Sequence, residues 1–310
     1  MINIAIYGMG KLGRAVAEKL SDLPDIVFFK HSYTEGGSFH LVCGKKDVEV
    51  LDSAKLRLHD EQRHLIKDVD VIIVTLTGAV LEKEIDFLLD LHVPLVVCST
   101  GYNVEMVKQK AEDAFVSVIM SENFALPVLK FWQQIQNLEK LPDGLLARLH
   151  VVESHQTSKR GFSGTAIKEM NLFAEQGFLV EMPSLSDFRN GKISTSGGLT
   201  SIRNKSKSLK IGVPEESLGE HSYHRLFIHF DTKGIEEHVE YVNYLYEYFK
   251  VLEKLSIEGI FHFEVKMVRN GVQITHNLNG LGLSLAGIIQ ALLYLDINRG
   301  QFTGHDLLDH

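Results

Sequence analysis

The sequence is short of three things, and each shortage closes off a class of function. Cysteine is nearly missing. Cys43 and Cys98 are the two in 310 residues, far apart and in no metal-ligand spacing, which points to a reduced, cytoplasmic enzyme. Basic charge is in deficit. Lys and Arg total 32 against 40 Asp and Glu, the formal charge is -8, and no long basic block breaks the balance, so a nucleic-acid partner is not expected. Long apolar runs are absent as well. No stretch offers the ~20 uncharged apolar residues of a spanning helix. The opening MINIAIYGMGKLG is short, interrupted by glycines and without a basic n-region, so neither a targeting segment nor a membrane partner is expected.

What is present is the profile of a globular protein, with 45% hydrophobic and 23% charged residues. A chain of this length exceeds one compact core, so two domains are expected. Residues 2–20, INIAIYGMGKLGRAVAEKL, read as a buried strand, a glycine turn and an amphipathic helix. Gly8, Gly10 and Gly13 form G-x-G-x-x-G. In that pattern the first glycine makes the tight turn, the second lets a pyrophosphate approach the backbone, and the third lets the helix pack on the strand. The helix N-terminus adds free N–H groups and partial positive charge for the phosphates. Dinucleotide binding is the expectation. The next strand is expected over 26–29. Where an NAD-binding chain usually carries Asp or Glu, this one has Lys30, His31 and Ser32, with Glu35 further on in a loop. A basic, hydroxyl-bearing strand end suits a 2′-phosphate, which favours NADPH with NADH as the second possibility. Lys11 and Arg14 either add to that positive field or are solvated surface charges.

Apolar strand-like runs then alternate with helical spacing: 69–78, 81–92, 93–103, 105–114 and 115–125. Such alternation implies a parallel sheet with right-handed crossovers. Small or polar residues end each strand, on the side where open α/β sheets bind ligands. Ser99, Thr100 and Gly101, and the turn Ser121, Glu122, Asn123 and Phe124, are therefore candidates to line the nicotinamide end.

The second half changes character. Residues 145–154, 221–230, 261–270 and 271–280 read as strands, the last two joined at Asn270-Gly271, a hairpin signal. Residues 283–296 are apolar nearly all round and predict a buried helix that returns towards the first domain. The expected fold is α/β: a Rossmann-like parallel-sheet domain over 1–125, with 283–310 packing nearby, and an α+β domain with a mixed sheet over 126–282. Residues 183–210 read as a long loop without periodicity. Residues 233–257, with four tyrosines, read as a surface helix or oligomer contact.

Between strand and helix lies ESHQTSKRGFSGTA, residues 153–166, which gathers His155, Lys159 and Arg160 just before Ser163-Gly164-Thr165. The Ser-Gly-Thr turn is expected to cap the following helix. A histidine, a lysine and an arginine beside a helix N-terminus suit a small dianionic substrate that is held and protonated. His221, His224 and His229 do not make a metal site. His221 and His229 share a strand face but stand roughly 26 Å apart if extended, and His224 is on the other face. His276 and Asn277 read as packing residues, and no metal is expected.

Together with GMGKLG, the 153–166 segment resembles the 4-hydroxy-tetrahydrodipicolinate reductase (dihydrodipicolinate reductase) family. Segments 153–156, 212–216 and 275–277 resemble its plant-type branch more closely. The resemblance implies NAD(P)H-dependent reduction of a cyclic dicarboxylate in diaminopimelate and lysine biosynthesis, by a homo-oligomer (dimer or tetramer). It implies His155 as general acid and Lys159 as catalytic lysine. Gly164 and Thr165 would bind a substrate carboxylate, and Gln156 stands where the bacterial branch has a second, substrate-binding histidine. Its cofactor loops fall on Gly8, Met9, Gly10, Lys11, Leu12 and Gly13, on Cys98, Ser99 and Thr100, and on Ser121 to Phe124. Two departures stand out: Gly161 and Phe162 fill a turn where the family often has Asp, and the 233–257 segment is longer. Another two-domain amino-acid dehydrogenase and a non-catalytic nucleotide-binding redox sensor are the alternatives.

Overall fold

The computed structural model describes residues 2–8, 10–21, 26–32, 39–43, 46–52, 69–156, 159, 161–188, 193–204, 222–231, 239–258, 260–278 and 282–308. Met9 and Arg160 lie outside these, as do the side chains of Lys11, Lys30, His31, Ser32 and Gln156. The chain divides into two compact units, residues 1–126 with 284–310, and residues 127–283.

The first unit begins β1 (Ile2–Tyr7), α1 (Lys11–Ser21), β2 (Ile26–Ser32), β3 (Phe39–Cys43) and β4 (Lys46–Asp52). It continues β5 (Val71–Val74), α2 (Gly78–Leu89), β6 (Leu95–Val97), α3 (Val104–Asp113) and β7 (Val118–Met120). The second unit holds α4 (Leu126–Gln136), β8 (Ala147–Gln156), α5 (Gly164–Glu175), β9 (Ile193–Ser196), β10 (Leu199–Asn204) and β11 (Ser222–Phe230). α6 (Val239–Lys250), β12 (Phe261–Val268) and β13 (Gly271–Leu278) complete it. The chain then returns through α7 (Gly282–Ile297) and β14 (Gln301–Thr303).

The first sheet has the order β14-β7-β6-β5-β1-β2-β4-β3, parallel throughout except for β3. Its central strands β1, β5, β6 and β7 are apolar on both faces because both faces are covered. Ile4 and Ile6 pack with Val16, Ala17 and Leu20 of α1 and with Ile288, Leu292 and Leu295 of α7. Ala5 and Tyr7 face the other way, towards Leu81, Ile85 and Leu88 of α2 and Val107 of α3. Strand order reverses between β1 and β5, and the glycine turn follows β1 at that switch point. Gly8 has φ +117°, which L side chains rarely adopt, and a Cβ on Gly13 would sit 2.0 Å from the Gly8 carbonyl oxygen. The turn thus needs glycine at both positions.

The second sheet, in the order β12-β13-β11-β8-β10-β9, is mixed: β8 and β10 run parallel and the other pairs antiparallel. Phe131 of α4 meets Phe249 of α6 and Phe263 of β12 at 5.7 and 5.3 Å between ring centroids. Two local readings need correction. Residues 183–210 are not one loop: β9 and β10 form an antiparallel hairpin there, which short Ser- and Thr-containing strands conceal. The β12–β13 turn is centred on Arg269-Asn270 rather than Asn270-Gly271. Val268 pairs with Gly271 and Asn270 takes φ 62°, while a Cβ on Gly271 would meet the Ile228 oxygen at 1.8 Å. The expected surface helix is present in the tyrosine-rich segment: Asn243 and Glu247 are exposed, while Tyr241, Val242, Leu245 and Phe249 are buried at helical spacing. Tyr241 Oη donates to the Glu139 carbonyl at 2.7 Å, and Tyr248 Oη to that of Gln134 at 3.0 Å. Tyr244 Oη accepts from Glu139 N–H at 3.3 Å. The hydroxyls tie α6 to the C-terminal end of α4 and to the residues after it.

Candidate active site

Along β8, alternate residues Ala147, Leu149, Val151, Glu153 and His155 are all buried and share one face. The face is apolar for three positions and then turns polar. Register carries this change across the sheet: Ser201, Glu153, His224, His276 and Phe263 stand opposite one another on successive strands. The neighbouring row, Leu199, Val151, Leu226, Ile274 and Val265, is wholly apolar. One polar row therefore borders the core, and α5 adds Glu169 to it.

Glu153 is fully buried and heavily bonded. It accepts the Ser163 N–H at 3.0 Å and the Ser201 hydroxyl, with Arg203 Nη1 at 3.6 Å. Ser163 is the N-cap residue of α5, yet its side chain makes no cap bond. The expected Ser163 cap is thus replaced by a carboxylate from β8, which suits the positive end of a helix. His155 Nε2 lies 3.3 Å from Glu153 Oε2 but is not aligned for a hydrogen bond, and it is buried without a hydrogen-bond partner. Burial pushes the His155 imidazole down to about 4. The Glu153 carboxylate opposes that shift, while the charges of His224 and Lys159 reinforce it. Burial alone would raise Glu153, but His155, His224 and Ser201 outweigh it and hold the carboxyl at about 2.

Lys159 follows in the turn. Burial, helped by the Arg203 charge, lowers its ammonium below the usual lysine range against the pull of Glu153. Arg203 fixes this turn by donating Nε–H to the Lys159 carbonyl at 2.9 Å and Nη2–H to the Gly161 carbonyl. Its guanidinium also lies 4.9 Å from the Phe188 ring centroid. Gly161 takes φ 75°, so the turn after Lys159 needs glycine for its shape. Gly164 and Thr165, in the first turn of α5, are half-buried. The structure thus brings His155, Lys159, Gly164 and Thr165 around one strand-to-helix turn.

Glu169 is 0% exposed. It accepts from His224 Nδ1 at 3.0 Å and from His276 Nε2 at 2.8 Å. The His224 ring meets His155 edge-on at 5.7 Å and His276 at 4.9 Å. Sequence reasoning gave no role to Glu153, Glu169, Ser201, Arg203 or His224. The available signal was the switch from apolar to polar residues on one strand face. Of the histidines weighed as a metal set, His224 is buried and His229 exposed on β11, while His221 lies outside the described residues.

In the first unit the strand ends form a rim. The Thr75 hydroxyl donates to the Gly8 carbonyl at 2.9 Å, and Gly78 N–H to the Thr100 carbonyl at 3.1 Å. Gly10 is exposed and Leu12 half-buried. Ser99 is buried, and its Oγ has no hydrogen-bond partner. The Ser121 hydroxyl donates to the Asn123 carbonyl, and Asn123 Oδ1 accepts the Ala125 N–H. Glu122 is half-buried, near enough to Tyr102 to help raise its phenol, although burial is the larger cause. Cys98 is half-buried, and burial pushes its thiol well above the ordinary cysteine range. Phe124 packs its ring in the core with Ile288 and Leu292.

Residues 2–124 match the family model "Dihydrodipicolinate reductase, N-terminus". Over that segment the chain is similar to the dihydrodipicolinate reductases. It is 25% identical over 229 residues to 4-hydroxy-tetrahydrodipicolinate reductase 1, chloroplastic, of Arabidopsis thaliana, a match covering 72% of this chain and 62% of that protein. It is also 25% identical over 179 residues to the 4-hydroxy-tetrahydrodipicolinate reductase of Psychrobacter arcticus, covering 56% of this chain and 63% of that one. Both matches span less than two thirds of the relative's length. The fold is shared with a dipicolinate-bound dihydrodipicolinate reductase from Paenisporosarcina sp. TG-14, at TM-score 0.55, 15% identity and 98% of each chain. Aspartate semialdehyde dehydrogenase II of Vibrio cholerae shares it at TM-score 0.52 and 13% identity, over 96% of this chain and 100% of that one. No described helix is long and apolar enough to cross a membrane.

Proposed function

We propose that this chain is an NADPH-dependent reductase that converts 4-hydroxy-tetrahydrodipicolinate, a small cyclic dicarboxylate, to tetrahydrodipicolinate. The observation that carries this reading is the β8–α5 turn. It sets a buried imidazole nitrogen without a hydrogen-bond partner beside a lysine and a helix N-terminus, all braced by Glu153 and Arg203.

The first unit fits a nicotinamide dinucleotide. A Cβ on Gly10 would meet nothing within 4 Å, leaving backbone that a pyrophosphate can approach at the N-terminus of α1. Ser99 offers a buried hydroxyl with no hydrogen-bond partner inside the protein. Register sets Lys30 and His31 beside Ile6 and Tyr7, immediately before the glycine turn, where a 2′-phosphate needs positive charge. Register also brings Asp52 alongside Ser32, and an acid there suits an unphosphorylated ribose. Parallel titration with NADPH and NADH discriminates between the two.

When bound, the nicotinamide supplies a hydride. The protein's part is to hold a dianion and give a proton. His155 is neutral at pH 7 without ligand, and a dianionic substrate beside it raises its proton affinity so that it loads on binding. Lys159 adds fixed positive charge, and Thr165 with the first-turn N–H groups of α5 receives a carboxylate. The hydroxyls of Tyr241, Tyr244 and Tyr248 are engaged with α4 and the residues after it, which favours an enzyme over a sensor signalling through that helix. The test is a coupled assay in which pyruvate and aspartate semialdehyde are condensed to supply the substrate and nicotinamide absorbance is followed. Turnover without ammonia exchange supports this reading over an amino-acid dehydrogenase. Cofactor binding with no turnover overturns it.

A further inference from the structure

We infer that Glu169 holds His224 as a buried imidazolium at neutral pH, and that this charge, set edge-on to His155, is a positioning and tuning element for the proton donor. The inference rests on the proposed role of His155. It begins with a charge problem. Glu169 is fully buried, and a carboxylate in that position requires a counter-charge or a proton of its own. Its two oxygens each accept from a different histidine, His224 and His276. One proton beyond the two neutral imidazoles therefore belongs to this trio.

Environment assigns that proton to His224. His276 is packed against the Phe131 ring at 5.3 Å and faces one carboxylate. His224 lies opposite Glu153 in the register and bonds Glu169, so it stands between two carboxylates. The electrostatics agree. Burial opposes protonation of both histidines, but the two carboxylates raise His224 overall, whereas His276 stays lowered. The groups facing His155 and His224 are Glu153 on β8, Lys159 in the turn, Arg203 on β10, Glu169 on α5 and His276 on β13. Of these, Glu169 acts on His155 through His224.

Two groups of side chains, Glu153–His155–His224 and Glu169–His224–His276, bring their polar atoms within 4.8 Å, a grouping that also invites a metal. In the Glu169 group the spacing argues for protons. The Glu169–histidine distances of 2.8 and 3.0 Å are hydrogen-bond lengths. Ligands about 2.0 Å from a tetrahedral zinc ion stand about 3.3 Å apart.

The arrangement gives His224 a consequence for chemistry. Its positive charge adds to the burial that keeps His155 deprotonated until a dianion arrives, so protonation of the donor is coupled to substrate binding. The test uses the full chain with 15N-labelled histidine. Nitrogen NMR at pH 7.5 is expected to show both His224 nitrogens protonated in the wild type and a neutral ring in Glu169→Gln. In that variant the His155 titration is expected to rise by about one pH unit or more, and the pH profile of kcat/KM to move with it. A neutral His224 in the wild type, with the proton on Glu169, overturns the inference. So does zinc retained at one equivalent per chain, or a His155 titration unmoved by Glu169→Gln. The wild-type spectrum is decisive even if the variant does not fold. It is also independent of turnover, so failure of the proposed reaction and failure of this inference are read separately.

Discussion

His155 and His224 are the same side chain on adjacent strands, and their surroundings drive them in opposite directions. His155 is desolvated with its Nε2 lacking a hydrogen-bond partner; His224 is desolvated between two carboxylates. The difference sets a pH dependence for stability. His155 is depressed from 6.5 to about 4, so its unfolded form binds the extra proton and stability is lost as pH falls from 6.5 towards 4. Glu153 and Glu169, depressed from 4.5 to about 2, add a second loss between those values. His224 is raised, so its contribution is full below pH 6.5 and fades above it. Melting temperature is expected to fall from pH 6.5 to 4, with a shallower slope in His155→Gln. An unchanged slope in that variant shows that His155 is not the group responsible. For the reaction, His155→Gln and Lys159→Ala are each expected to lower turnover by roughly 100-fold or more, and wild-type rates in both remove them from the mechanism. His155 and Lys159 were legible because they crowd one short segment. Glu169 was not, since a glutamate in a helix reads as a solvated face until tertiary packing buries it.

Elements test the backbone logic. At Gly13 an added Cβ meets the Gly8 oxygen at 2.0 Å, whereas at Gly10 it meets nothing within 4 Å. Gly13→Ala is therefore expected to destabilise the first unit by about 1–3 kcal/mol. Gly10→Ala is expected to leave the melting temperature unchanged and weaken nucleotide binding, as read by a fluorescence titration. Equal melting temperatures for the two variants remove the close-approach argument. Tyr241→Phe deletes one hydroxyl tie between α6 and the residues after α4, with an expected loss of about 0.5–1.5 kcal/mol in denaturant unfolding. Strongly periodic elements such as α2 and the long strand β8 could be read directly from the chain. The β9–β10 hairpin could not, because Ile193–Ser196 alternates over four residues around a tight Gly197-Gly198 turn.

At the scale of the molecule, nucleotide binding is expected to appear as linked stability. NADPH at about a hundred times its Kd is expected to raise the melting temperature by roughly 5–10 °C. NADH at the same concentration is expected to give less, and a larger rise with NADH reverses the cofactor assignment. The sequence alone determined the alternation of buried strands with helices, the glycine turn at the end of β1 and the basic segment ahead of a helix. All three are local: each depends on residues within a few turns of chain, where side-chain period and backbone freedom dictate the outcome. Only tertiary structure decided the polar row. Ser201, Glu153, His224 and His276 meet because β10, β8, β11 and β13 pair in one register, and Glu169 joins them because α5 packs with that face inward. Charge interactions depend on distance and burial, and residues more than a hundred positions apart acquire both only when the sheet has formed.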